Sequence, residues 1–156
     1  MESTTEQVSV EREIEIAAEP EVVWQFLVDP GKAVAWWGES ATMDARPGGG
    51  YRIEVGPGRT LRGAFVELDP PRRLVYSFGW EDGADIPGGV PPGSSTVEID
   101  LLASARGTTL RLLHRGLPGH ESAISHGRGW DHYLERLVVV AEGGDPGPDS
   151  WLSGAR

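Results

Sequence analysis

The sequence predicts an α+β domain in which a curved antiparallel sheet of about seven strands wraps one long C-terminal helix. Three observations predict it. Apolar residues alternate with polar ones through successive short stretches between Val8 and His114, the period of half-buried strands. Tight Gly- and Pro-rich turns join most of these stretches, and strands joined so closely must run antiparallel. After about residue 124 the apolar period changes to that of a helix. One sheet face reads as wet, so the other needs a cover, and the last helix is the only long apolar element available to provide it.

The elements follow in order. Met1 to Gln7 is a polar start with no strand or helix signal, expected to be disordered. Val8, Val10, Ile14 and Ile16 alternate with Ser9, Glu11, Glu13 and Glu15 as the first strand, and Arg12 interrupts its apolar row. Glu19-Pro20-Glu21 opens a helix whose stripe is Val22, Val23, Phe26 and Leu27, stopped by Asp29-Pro30-Gly31. A second short helix is expected over about Lys32 to Trp37, ending at Gly38. Strands are then expected over Ala41 to Ala45, around Tyr51, Ile53 and Val55, over Leu61 to Leu68, and over Arg73 to Trp80. Asp82 to Ser95 is a long Gly- and Pro-rich loop; loops of this length are uncommon and often act as lids, here with Gly83, Gly88 and Gly89 as hinges, or else are plain insertions. Val97, Ile99 and Leu101 form the next strand, and Leu110, Leu112 and His114 share a face of the last. Trp130, Leu134, Leu137, Val138 and Ala141 form the helical stripe, extended one turn earlier by Ile124 and Gly127, and Gly143-Gly144 ends it. The domain so read covers 8–142, with 143–156 an irregular tail.

Composition narrows the function. The chain has 156 residues, no cysteine and a formal net charge of −10. No disulfide, Cys-ligated metal or thiol nucleophile is available, and a reducing cytoplasm is the expected setting. The acidic balance argues against a nucleic-acid or anionic-membrane partner, since both need basic patches. No apolar run is long enough to span a bilayer, and the residues after Met1 lack the basic and apolar regions of a signal peptide. Lys32 is the only lysine, and the wealth of Arg, Gly, Pro and Ala suggests a GC-rich bacterial genome. Trp contributes 6 residues, as many as Tyr and Phe together at 3 each.

Four stretches carry a resemblance: PEVVWQFLVDPGKAVAWWG, MDARPGGGYRIEV, GAFVELDPPRRLVYSFGWE, and STVEIDLLASARGTTLRLLHRGLP with GWDHYLERL after it. In this order they resemble the START-like (SRPBCC, birch-pollen-allergen-like) helix-grip superfamily. Within it they are similar to the family named for the activator of the ninety-kilodalton heat-shock chaperone's ATPase. The resemblance implies a sheet wrapped on a long helix with a cavity between, a cavity that in the superfamily takes lipids, hormones or polyketides. It implies no single activity, because fold does not fix chemistry.

The residues expected at the cavity or its rim are Arg12, Trp36, Trp37, Tyr51, Tyr76, Phe78, Trp80, Ile99, Leu112, His114 and Trp130. His114 is the one candidate for acid–base work; the plainer reading is a structural histidine. In the family a small residue commonly follows this His, where Arg115 stands here. Arg12 is a candidate partner for a ligand carboxylate, or a strand-end Arg reaching water or pairing with Asp131 or Glu135. Trp36 and Trp37 are adjacent, so one is expected in the core and the other at a rim. His120, His126 and His132 recur every six residues, which is not the i, i+4 spacing of a helical metal pair; they are expected to be solvated or capping, with His120 before the helix. Neither metal nor cofactor is expected. Glu67, Glu98 and Asp100 are expected at solvated strand positions. The function expected is binding of a small apolar or amphipathic molecule. The alternatives are a chaperone-activating protein–protein role and a cyclase or hydratase using His114. An edge strand and exposed aromatics leave homodimerisation open.

Overall fold

The structure is a computed structural model and describes residues 8–83 and 89–151. Its strands are β1 (Val8–Ile16), β2 (Ser40–Met43), β3 (Gly50–Gly56), β4 (Arg59–Asp69), β5 (Arg73–Phe78), β6 (Ser95–Ala103) and β7 (Thr108–Leu117). Its helices are α1 (Pro20–Val28), α2 (Pro30–Ala33) and α3 (His120–Ala141). The sheet runs β1-β7-β6-β5-β4-β3-β2, every neighbour antiparallel. The first strand therefore closes beside the last, and the others follow by simple hairpins.

The sheet bends because its strands are interrupted where they must turn. Register shifts fall between Val8 and Val10, between Glu54 and Gly56, and between Phe65 and Glu67; such bulges increase local twist. In β4, Val66 is pushed outward as an exposed apolar residue. At Gly63 the two chains come so close that a Cβ would collide with the Ser77 carbonyl, while Ser77 Oγ accepts from Ala64 N at 2.9 Å. Beyond this crossing the chain after β5 keeps pairing: Arg62 N donates to Gly79 O, and Leu61 bridges Trp80. The extension carries Trp80 over the concave face.

That face and α3 enclose the core, with Ile16, Leu61, Leu110, Leu117, Leu137 and His114 among its least exposed residues. Arg12 ties β1 to α3. Its guanidinium passes over Gly127, where a Cβ would meet Nη2 at 2.8 Å, and reaches Asp131 through Nε at 2.6 Å and Nη2 at 3.2 Å. On the outer face Arg73 gathers Glu67, Glu98 and Asp100, and Arg115 bonds Glu98 at 2.6 Å. Glu67 and Asp100 keep the solvent exposure expected of them while ion-paired, whereas the Glu98 side chain, held between Arg73 and Arg115, is only 19% exposed.

Several local expectations change. In α1 the buried face is Val23, Trp24 and Leu27, and Val22 is exposed; the stripe had omitted Trp24, which takes the inward position one residue on. Helix α2 starts at Pro30 and stops at Ala33 rather than covering Lys32 to Trp37. Pro30 ends one helix and begins the next, since Asp29 accepts from Gly31 N at 2.9 Å as an N-cap. Past Ala33 the chain continues as a turn, Trp36 N and Trp37 N both donating to Ala33 O at 3.1 and 2.8 Å, and Trp36 and Trp37 both face inward, buried and stacked at 5.0 Å. The expected split between core and rim assumed a helix there. His120 is the first residue of α3, not a residue before it, and Ile124 is exposed.

Candidate functional site

A pocket of about 640 Å³ opens between the N-terminal half of α3 and the concave sheet face. Its origin is legible along α3. Ser122, Ser125, His126, Gly129, Trp130 and Tyr133 line it, and spacings of three, one, three, one and three place them on one helical face. Ser122, Ser125 and Gly129 are too small to reach the sheet. One turn further on, Leu134 and Leu137 do reach it and are buried. The helix is thus seated at its C-terminal half and held off at its N-terminal half. Leu61, Phe78 and Trp80 form the opposite wall, and Trp37 the floor, its ring 5.5 Å from Trp130. Arg59, with its guanidinium 5.2 Å from the Trp80 ring, stands at the mouth with Gly89 and Val90.

Two histidines hold the two wall tryptophans. Trp130 Nε1 donates to His114 Nδ1 at 3.0 Å. Ser95 Oγ donates to Phe78 O at 2.9 Å, so at its 2.9 Å contact with His114 Nε2 it accepts. His114 is therefore neutral, protonated on Nε2, and both ring nitrogens are engaged. It is fully buried, and burial, with the nearby His126, lowers its pKa to about 3. Trp80 Nε1 likewise donates to His126 Nε2 at 3.2 Å, leaving the Nδ1 proton for Ser122 O at 2.8 Å. Burial lowers the His126 pKa as well, the Ser122 carbonyl offsets part of this, and the charge of Arg59 adds to it. Phe78 packs against both, 4.3 Å from His114 and 5.7 Å from His126. The outcome is an aromatic surface whose indole N–H groups are satisfied, by His114 behind it and by His126 within the lining, leaving apolar faces toward the pocket.

The residues expected at the cavity from sequence fall into three places. Trp37, Phe78, Trp80 and Trp130 line the pocket, and His114 stands directly behind it. Trp36, Tyr51 and Tyr76 lie on the far side of Trp37, around a separate void of about 20 Å³. There Tyr51 Oη donates to Ser77 O at 2.7 Å, and burial raises the pKa of both tyrosines. Arg12, Ile99 and Leu112 are not at the pocket: Arg12 is on the outer edge with Asp131, and the other two are core. Of the expected lid hinges, Gly83 packs beneath Val90 and Gly88 lies outside the described residues.

Sequence reasoning missed Arg59, Leu61, Ser125, His126, Gly129, Tyr133 and Trp151, all of them pocket residues. A signal existed for the helical ones, since small residues at helical spacing beside Trp130 mark a face that cannot fill its space. None existed for Trp151, which lies in an irregular segment. His132 and Tyr133 bind Asp149 of that segment. Among the described residues, no three His, Asp or Glu converge as metal ligands, and no helix is long and apolar enough to cross a membrane.

The family model described as activator of Hsp90 ATPase homolog 1-like protein matches residues 17–142. The chain belongs to this family. The solution structure of an AHSA1-like protein from Rhizobium etli is 46% identical, with a TM-score of 0.76 over 100% of this chain and 95% of that one. A protein of Chromobacterium violaceum shares the fold at 23% identity and a TM-score of 0.72, over 86% of this chain and 96% of that one. DynU16, from the dynemicin biosynthetic locus, shares it at 24% identity and a TM-score of 0.73, over 88% of this chain and 48% of that one. A Schizosaccharomyces pombe protein, C1711.08, is 25% identical over 76% of this chain, which spans 32% of that protein's length.

Proposed function

We propose that the protein binds a small hydrophobic or amphipathic molecule in the pocket between α3 and the sheet. One observation carries this reading. A space of about 640 Å³ is walled by Phe78, Trp80, Trp130 and Trp37, and both wall indoles on which a ligand would lie have their N–H groups satisfied, Trp130 by the buried His114 and Trp80 by the half-buried His126. Pockets of this size and lining suit flat or oily ligands. Arg59 and the backbone at the mouth supply a polar end. The protein is read as acting in the cytoplasm, consistent with its lack of cysteine.

His114 acts as a neutral strut for Trp130. Both its nitrogens are engaged, and its pKa of about 3 leaves it uncharged near neutrality, so the geometry favours binding over acid–base turnover. Native mass spectrometry of protein purified from its own source tests the reading. The expected result is a released molecule rich in carbon and hydrogen. A protein that carries nothing, and takes up no apolar probe when offered one, overturns it.

The family's description favours a second reading, stimulation of a chaperone ATPase. An Hsp90 ATPase rate unchanged by added protein removes that reading.

A further inference from the structure

We infer that the segment 145–151 is a built strap that forms the outer wall of the pocket, and that Trp151 sets how fast a ligand leaves and how large a ligand fits. The inference rests on the pocket reading above. It starts from Asp149. A carboxylate in an irregular segment past the last helix is ordinarily solvated, yet the Asp149 side chain is only 9% exposed. It accepts from His132 Nε2 at 2.7 Å, from Tyr133 Oη at 2.5 Å and from Trp151 N at 3.0 Å. Burial by itself would raise its pKa; these three donors outweigh burial and hold it below the usual carboxylate range. Three donors converging on one buried carboxylate are a clasp, with two of them contributed by adjacent residues of α3.

The clasp has a geometric result. The Trp151 ring lies flat on the His132 ring, 4.1 Å between centroids and 8° between planes, and edge-on to Tyr133 at 5.9 Å. Trp151 thereby becomes a lining residue of the pocket while staying 49% exposed to solvent. It is a side of the wall that belongs to no helix or strand. The segment leading to it is pre-bent: Asp145 Oδ1 accepts from Gly147 N at 2.8 Å, Gly147 has a φ of +73°, and Pro146 and Pro148 restrict the unclasped chain. A wall clasped through the Asp149 carboxylate, outside every helix and strand, can open without unfolding the sheet or α3.

The test uses the full chain and the neutral fluorophore N-phenyl-1-naphthylamine. Its dissociation rate is measured by stopped flow in the unaltered protein and in Trp151→Ala, Trp151→Phe and Asp149→Ala, with urea midpoints recorded alongside. The expected result is release at least about tenfold faster in Trp151→Ala and Asp149→Ala, partial restoration in Trp151→Phe, and urea midpoints that stay together. Release within twofold of the unaltered protein in Trp151→Ala overturns the strap and leaves the pocket reading standing. Rates that change only in step with the urea midpoint overturn it too, because the segment would then be merely structural. An unaltered protein that does not take up the probe removes the pocket reading and the strap together.

Discussion

His114 shows at the scale of one residue how a candidate catalyst becomes a support. Its pKa of about 3 in the folded state lies below the 6.5 of an ordinary His. Between these values the unfolded chain binds a proton that the native state refuses, so stability is full above pH 6.5 and declines as pH falls toward 3. Each unit below 6.5 costs about 1.4 kcal/mol from this group, and His126, lowered in the same direction, adds to the slope. Urea midpoints are expected to fall between pH 7.5 and 5.5, and to fall less steeply in His114→Asn. A flat profile over that range contradicts the buried neutral assignment. The sequence placed His114 on the inward face through its register with Leu110 and Leu112. It could not show that Ser95 and Trp130, 19 and 16 residues away, occupy both nitrogens. Arg12 was legible in the same partial way: its inward register and Asp131 were both named, but the crossing over Gly127 exists only once β1 and α3 are packed.

At the scale of the elements, the bend between β4 and β5 positions the pocket. Gly63→Ala is expected to destabilise the fold by about 1–3 kcal/mol, because the new methyl must displace the Ser77 carbonyl; a urea midpoint equal to that of the unaltered protein contradicts the close crossing. Gly129→Ala is the opposite case, since nothing lies within 4 Å of a Cβ there. It is expected to raise stability by up to about 1 kcal/mol through helix propensity while narrowing the pocket. A lowered midpoint contradicts this open helix face. Strand periodicity and Gly/Pro punctuation made all seven strands and α3 readable. What failed was short and proline-bound: α2 was placed two residues late because Pro30 was read only as a stop, and Trp24 was overlooked because a nine-residue helix shows too few turns to define its stripe.

For the whole molecule, the fold follows from simple rules: alternation makes the sheet, bulges and close glycines curve it, and one amphipathic helix fills the curve. The pocket is where that filling is incomplete. Its wall aromatics were visible in sequence, whereas its extent was not, because Trp37 divides the expected cavity into the pocket and a void of about 20 Å³. The strap was invisible, since Asp149 and Trp151 carry no periodic signal. Family membership establishes the fold and leaves the occupant to be measured. The most direct measurement is an equilibrium titration with N-phenyl-1-naphthylamine of the unaltered protein and of Ser125→Trp, whose indole would fill the space that Ser125 leaves at the pocket wall. The account predicts saturable binding of one probe per chain, weakened about tenfold or more by the substitution. Absent saturation, or equal affinity in the two proteins, would contradict it.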